Sequence, residues 1–429
     1  MLSKINIANE AFGNWKKKTI AERMVLVKNL QLELEKNRNY YATLITKEMN
    51  KPITQSLAEV DKCGLLCDFY INNAAVFLET KHIKTEAVES FVTYEPLGVL
   101  LGIMPWNFPF WQVFRFAIPS IIAGNVVLVK HASNVPESAQ SIENLFIKSG
   151  FPEGIYQNIA IKSDKVSEII AHPFVKAVSL TGSEAAGSSV AAQAGKYLKK
   201  SLLELGGSNA FIVCNDANID QTIRIAVNAR MQNAGQSCIA AKRFLIHQDI
   251  FEAFTEKYKK ALSELIQGDP MHPETQIGPM ARIDLAEDLE KQVNQSVSMG
   301  AKIILGGQRE GAFYSPTIIT KVTPEMPVFK EETFGPVAVL LSFKTLDEAI
   351  ALSNLSEFGL GVSIFTQNVE SIKTRIPEFN EGAVFINEMV KSDPRLPFGG
   401  VKKSGYGREL AEEGIKEFVN TKTVVIQHF

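Results

Sequence analysis

Beyond Gly98 the chain alternates short β-rich runs with segments of helical period, and this alternation restricts the fold more than any other feature of the sequence. The first set reads Val99–Met104, a helix near Phe110–Ala123, Val126–Lys130, a helix near Glu137–Ser149, Lys176–Thr181 and a helix over Ser183–Ala194. Such a pattern implies a parallel sheet covered on both faces, with ligands bound beyond the carboxyl ends of its strands. A second set follows Gly207, with strands expected at Ala210–Cys214, Arg243–His247, Lys302–Leu305, Val337–Phe343, Gly361–Thr366 and Ala383–Asn387. Upstream, Thr19 and Glu22 have the spacing of a capping box, and Ile20, Met24, Val27 and Leu30 recur at helical period, so the chain opens with helices. Glu86–Tyr94 and Thr421–His428 alternate like exposed antiparallel strands and fit neither set. The expected class is α/β with two parallel sheets.

At 429 residues the chain has room for two or three domains. Its 45 Lys and Arg against 47 Asp and Glu leave a formal charge of −2, which gives no global field for nucleic acid or an anionic membrane. No apolar run reaches the roughly 18 residues a membrane helix requires. Met1–Glu10 lacks the apolar stretch of a signal peptide, so a cytoplasmic location is expected. The four cysteines form no disulfide framework and share no metal-ligand spacing with the six histidines, so no metal is expected. Cys63 and Cys67, four apart on a helical pattern, read as helix core, and Cys214 as strand core.

Two stretches carry chemistry. Asn233-Ala234-Gly235-Gln236-Ser237-Cys238 sets one cysteine among small and polar neighbours, between a helical pattern and the strand at Arg243, where it can be reached. It is a candidate nucleophile, although a small packed residue at a strand entrance is the commoner meaning of such a cysteine. Val178–Ser183 followed by Gly187 is a strand running into a glycine turn and a helix, whose unpaired first-turn amides suit a phosphate. The G-x-G-x-x-G fingerprint is absent, which argues against an ordinary Rossmann dehydrogenase.

With Pro105-Trp106-Asn107-Phe108-Pro109, Leu203-Glu204-Leu205-Gly206-Gly207 and Glu331-Glu332-Thr333-Phe334-Gly335-Pro336, the cysteine stretch resembles the aldehyde dehydrogenase superfamily, from about Phe12 to the C-terminus. The resemblance implies a cofactor-binding domain of residues 1–79 and 97–206, a catalytic domain of 207–407, and a β oligomerisation arm of 80–96 and 419–429 that builds a homodimer or homotetramer. It implies Cys238 as nucleophile, Glu204 as base and Asn107, with the Cys238 amide, as oxyanion donor. Coenzyme-A-acylating relatives commonly lack the residue matched by Glu204, so a carboxylic acid product is expected. For the cofactor it implies Trp106, Gly182, Ser183, Gly187, Glu332 and Phe334, with Lys130 at the adenosine ribose. Relatives preferring NAD often carry Glu where this chain has Ser133, so NADP is expected over NAD. Arg115 and Ser392 match positions where succinate-semialdehyde dehydrogenases hold the distal carboxylate, and Arg395 is expected to add positive charge. Gln232 departs from relatives that place another arginine there, which weakens the carboxylate pocket. The family usually has some tens of residues before the first helix, packed on the cofactor domain, and their lack bears on stability more than on chemistry. The expected reaction is NAD(P)-linked oxidation of succinate semialdehyde to succinate, a small-molecule aldehyde. The alternatives are a broad aliphatic or other semialdehyde dehydrogenase of the same fold, and a catalytically silent cofactor-binding protein.

Overall fold

The computed structural model describes residues 1–428. Four helices open it: Leu2–Trp15, Ile20–Lys36, Arg38–Met49 and Ile53–Phe77. The second begins in the expected capping box, with the Glu22 amide donating to Thr19 Oγ1 and the Thr19 amide to the Glu22 carboxylate. Along Ile53–Phe77 the buried positions Ser56, Glu59, Val60, Cys63, Gly64, Cys67, Tyr70 and Ala74 recur every three or four residues and form one stripe against the first sheet's helices. Cys63 and Cys67 sit inside that stripe, fully buried.

The first sheet has six strands, in the order Gly405–Tyr406, Lys200–Glu204, Val175–Thr181, Val99–Met104, Val126–His131 and Tyr156–Asn158. All neighbours are parallel except the edge pair Gly405–Tyr406 with Lys200–Glu204. Its inner strands are almost wholly buried, as expected of a sheet covered by helices on both faces. The second sheet has seven strands: Lys302–Leu305, Thr317–Thr320, Val337–Phe343, Ala241–His247, Asn209–Val213, Val362–Phe365 and Val384–Ile386. Here too only an edge, Lys302–Leu305, runs antiparallel to its neighbour. Apolar clusters cover its two faces separately, one around Leu289, Val293 and Val339, the other around Phe211, Phe244 and Tyr258.

Within the two large sheets four strands fall outside the sequence reading: Tyr156–Asn158, Lys200–Glu204, Thr317–Thr320 and Gly405–Tyr406. The last corrects an expectation. Residues 405–406 lie within the span 207–407 assigned to the catalytic half, yet they pair with Leu203 and Glu204 in the first sheet. The chain therefore returns to the first sheet before its end. The segments that fitted neither set form a separate three-stranded antiparallel sheet of Lys81–His82, Glu89–Pro96 and Val419–Ile426. Phe429, the last residue of the expected arm, lies outside the described residues. Among the described residues no helix is long and apolar enough to cross a membrane.

Candidate active site

The loop Pro105–Phe110 follows the buried strand Val99–Met104 and runs into the helix Trp111–Ile122. The first amides of that helix need acceptors, and Glu59 supplies one: its Oε1 accepts from the Phe110 N–H at 2.9 Å and the Trp111 N–H at 3.0 Å. Its other oxygen pairs with Lys51, whose ammonium also sits 3.9 Å from the centre of the Phe108 ring. Both charges are buried, so each is compensated by the other and by backbone donors. Asn107 thus directly precedes a segment anchored at Phe108, Phe110 and Trp111. Its Nδ2 donates to the Gln236 carbonyl at 3.2 Å, its own carbonyl accepts from Asn233 Nδ2 at 3.0 Å, and its buried Oδ1 has no partner.

The cysteine loop is shaped by backbone strain. Asn233, Ala234 and Gly235 take left-handed conformations in succession, with φ of 54°, 49° and 72°. Two non-glycine residues in that region cost on the order of 1–3 kcal/mol each. A Cβ on Gly235 would come within 2.3 Å of the Gly335 carbonyl oxygen, so the turn needs glycine there. The loop is pinned from outside: the Asn233 N–H donates to Gln55 Oε1 at 2.7 Å, Gln236 Oε1 accepts from the Ala281 N–H at 3.0 Å, and Lys242 Nζ donates to the carbonyls of Ser237 and Cys238 at 2.8 and 2.9 Å.

Cys238 is the meeting point of two cavities. The first is lined by Lys62, Trp111, Arg115, Ser392 and Phe398 among others. The second is lined by Trp106, Asn107, Gly182, Ser183, Glu332 and Phe334 among others. Cys238 and Gln112 belong to both. Burial pushes the Cys238 thiol up to about 11, with Lys242 and Arg115 acting against that rise and Glu332 and Glu204 adding to it. The resting sulfur is therefore a thiol.

Glu204 ends the strand Lys200–Glu204 and is buried, with neither carboxyl oxygen hydrogen-bonded. Burial and the neighbouring Glu409 hold it well above the usual carboxylate range, against Arg115 and Arg408. Glu409 is raised by burial as well. Its Oε2 lies 2.6 Å from Arg115 Nε, but off the N–H axis, so the contact is an ion pair rather than a directed hydrogen bond. The Glu204 backbone has a second task. Its carbonyl accepts from the Gly182 N–H at 3.0 Å, tying the base of the glycine turn to the adjacent strand.

That turn begins the helix Glu184–Lys196, with Ser183 as its N-cap accepting from the Ala186 N–H at 3.3 Å. A Cβ on Gly187 would meet both Leu205 methyls at 2.6 Å, so glycine lets this helix approach the strand beyond Glu204. Opposite, Glu332 accepts from the Gly207 N–H at 3.0 Å and from Lys242 at 3.2 Å. Phe334 and Trp106 meet edge to face at 5.7 Å, walling the second cavity near Cys238. Lys130 and Ser133 sit at and just beyond the carboxyl end of Val126–His131, on the rim Gly182 also occupies, but do not line the cavity.

Of the residues expected at the aldehyde end, Arg115 and Ser392 line the first cavity and Arg395 does not. Arg395 is exposed and doubly bonded to Asp393, at 2.8 and 2.7 Å, because that carboxylate two residues away offers a nearer partner than any anion in the cavity. Four residues that the sequence reading passed over stand here: Lys62, Gln112, Lys242 and Glu409. Only Lys242 had a readable signal, a lysine at the start of an otherwise buried strand.

A cleft between two α/β sheets, with one thiol reached from both ends, defines the class of fold to which this chain is matched. The sequence pattern of the aldehyde dehydrogenase family covers residues 2–424, and the chain belongs to that family. It is 48% identical over 99% of its length to a probable succinate-semialdehyde dehydrogenase (NADP+) of Synechocystis sp., covering 94% of that protein. It is 44% identical over 98% of its length to the succinate semialdehyde dehydrogenase (NAD(P)+) Sad of Escherichia coli, covering 92% of it. The solved succinic semialdehyde dehydrogenase of Streptococcus pyogenes, in complex with NADP+, superposes with a TM-score of 0.97 at 38% identity, over 100% of this chain and 95% of that one.

Proposed function

We propose that this protein oxidises succinate semialdehyde to succinate, with NADP preferred over NAD, through a covalent adduct on Cys238. The observation that carries the reading is the pair of cavities touching at one sulfur, one ending in cations and the other at a glycine turn and helix N-terminus. The names of the relatives in Synechocystis, E. coli and Streptococcus point the same way.

The residues of the second cavity fit a nicotinamide dinucleotide. The Gly182–Ser183 turn with its helix dipole suits a pyrophosphate, and the Trp106–Phe334 wall suits a flat ring beside the sulfur. Glu332, held by Gly207 and Lys242, suits a ribose diol; Lys130 and the hydroxyl of Ser133 suit a second phosphate at the adenosine end. When bound, this group accepts a hydride from the substrate carbon.

Cys238 gives up its proton to solvent water and adds through sulfur to the aldehyde carbon, giving a tetrahedral alkoxide. Asn107 Nδ2 and the Cys238 N–H donate to that oxygen, and Asn107 comes prepositioned by Glu59 and Asn233. Loss of the hydride leaves a thioester on Cys238. Glu204, once ionised, takes a proton from a water that attacks the thioester carbon, releasing succinate and the thiol. In this reading the first sheet carries the cofactor and the second the thiol. The three-stranded sheet, with Val425 and Ile426 exposed on its edge strand, serves assembly into a homodimer or homotetramer. Four free cysteines, two of them adjacent on one helix face, accord with a reducing, cytoplasmic setting.

The test is a matrix of succinate semialdehyde and butanal against NADP and NAD, followed by nicotinamide absorbance. The highest kcat/KM is expected for succinate semialdehyde with NADP. Equal efficiency on the two aldehydes would refute the substrate, a lower KM for NAD than for NADP would refute the cofactor preference, and no turnover of any aldehyde would make the protein catalytically silent.

A further inference from the structure

We propose that Lys62 is a specificity-determining residue: with Arg115 and Ser392 it forms a three-point clamp for the substrate's distal carboxylate. The proposal deepens the succinate semialdehyde reading and rests on it. Lys62 projects from the helix Ile53–Phe77 one turn after Glu59, so the helix that anchors the catalytic loop also lines the first cavity. Its Nζ donates to Ser392 Oγ at 2.8 Å and lies 4.2 Å from the centre of the Trp111 ring.

Three features converge on an anion. Ser392 Oγ accepts twice, from Lys62 and from Trp111 Nε1 at 3.1 Å, which occupies both its lone pairs. Its own O–H then has to donate elsewhere, and it lines the cavity. Arg115 is buried with its Nη2 lacking any hydrogen-bond acceptor. Lys62 has no carboxylate in ion-pair contact among the described residues: the two nearest to hand, Glu59 and Asp393, are committed to Lys51 and Arg395. Two cations and a hydroxyl donor thus share one cavity without a counter-charge in contact with Lys62. A carboxylate at the end of a short chain reaching from Cys238 satisfies all three. The lysine also supplies, from another element, the charge that Gln232 does not.

The groups facing the Lys62 ammonium are Arg115 from the helix Trp111–Ile122, Glu59 and Cys63 from its own helix, and Asp393 from the loop after the second sheet. Burial first, then Arg115, lowers it to about 8. Lys62 is therefore charged below that pH and loses its charge above it, and its attraction for a carboxylate goes with it.

The experiment measures kcat/KM for succinate semialdehyde and for butanal with saturating NADP, across pH 6.5–9.5, on wild type, Lys62→Met and Lys62→Arg. The ratio of the two aldehydes is the readout, because titration of the thiol affects both and cancels. In wild type the ratio is expected to fall above about pH 8. In Lys62→Met it is expected to be lower by about tenfold to a hundredfold, the worth of a charge-assisted hydrogen bond, chiefly through KM, and flat with pH. Lys62→Arg should restore most of it. A Lys62→Met enzyme that keeps the wild-type ratio overturns the role of Lys62 and leaves the substrate reading standing. A wild type that does not distinguish the aldehydes at any pH overturns both.

Discussion

If Glu204 is the hydrolytic base proposed above, replacing it by glutamine is expected to separate the two halves of the reaction. Burial and Glu409 raise Glu204, which favours its neutral form, and the amide keeps the volume of that form. Neither carboxyl oxygen has a protein partner, so the change breaks no hydrogen bond. What glutamine cannot do is take a proton from water. A general base contributes about 10²–10⁴-fold, which at 1.36 kcal/mol per decade is about 2.7–5.4 kcal/mol on the hydrolytic barrier. In the proposed mechanism, addition to the aldehyde and loss of the hydride do not draw on this residue. Rapid mixing of Glu204→Gln with succinate semialdehyde and NADP is therefore expected to give a burst of one reduced nicotinamide per active site, followed by turnover slowed by that factor. Intact-protein mass analysis should then find a succinyl group on Cys238. Steady turnover within about threefold of wild type, judged against the 10²-fold lower bound, would refute the assignment. Loss of the burst along with the turnover would place Glu204 in the first half-reaction instead.

Two further outcomes follow from the same geometry. Ser133→Glu sets a carboxylate on the rim beside Lys130, and the ratio of kcat/KM for NADP to that for NAD should fall at least tenfold, or about 1.4 kcal/mol; an unchanged ratio removes Ser133 from cofactor selection. With the Cys238 thiol at about 11, its alkylation by iodoacetamide in the absence of cofactor should speed up about tenfold per pH unit between pH 7 and 10. A plateau below pH 9 would mean that the thiol ionises well below 11 and would refute this reading.

Much of this architecture is legible in the chain. Val99–Met104 and residues 126–129 are unbroken apolar runs because helices cover both faces of their sheet, and runs of that kind survive in the sequence. Tyr156–Asn158 and Gly405–Tyr406 are two or three residues long, too short to show any period; only their neighbours make them strands. The thiol, the carboxylate and the amide stand out because each sits in an unusual local setting of glycine and proline. Lys62 has no such setting, and Glu409, although it follows Gly405 and Gly407, is flanked by Arg408, which offers it a local partner. A lysine on a helix and a glutamate after Arg408 look like solvated charges until tertiary packing brings each against Arg115's cavity. Arg395 was expected near the aldehyde end from the resemblance of its loop, and its guanidinium is bonded to Asp393 two residues away, a pairing set by side-chain geometry that the resemblance does not show.

Because Cys238 and Gln112 are, among the described residues, the only lining residues the two cavities share, the rest of each is held by its own set of side chains. A substitution elsewhere in one lining is therefore expected to change what that chamber accepts without altering the walls of the other.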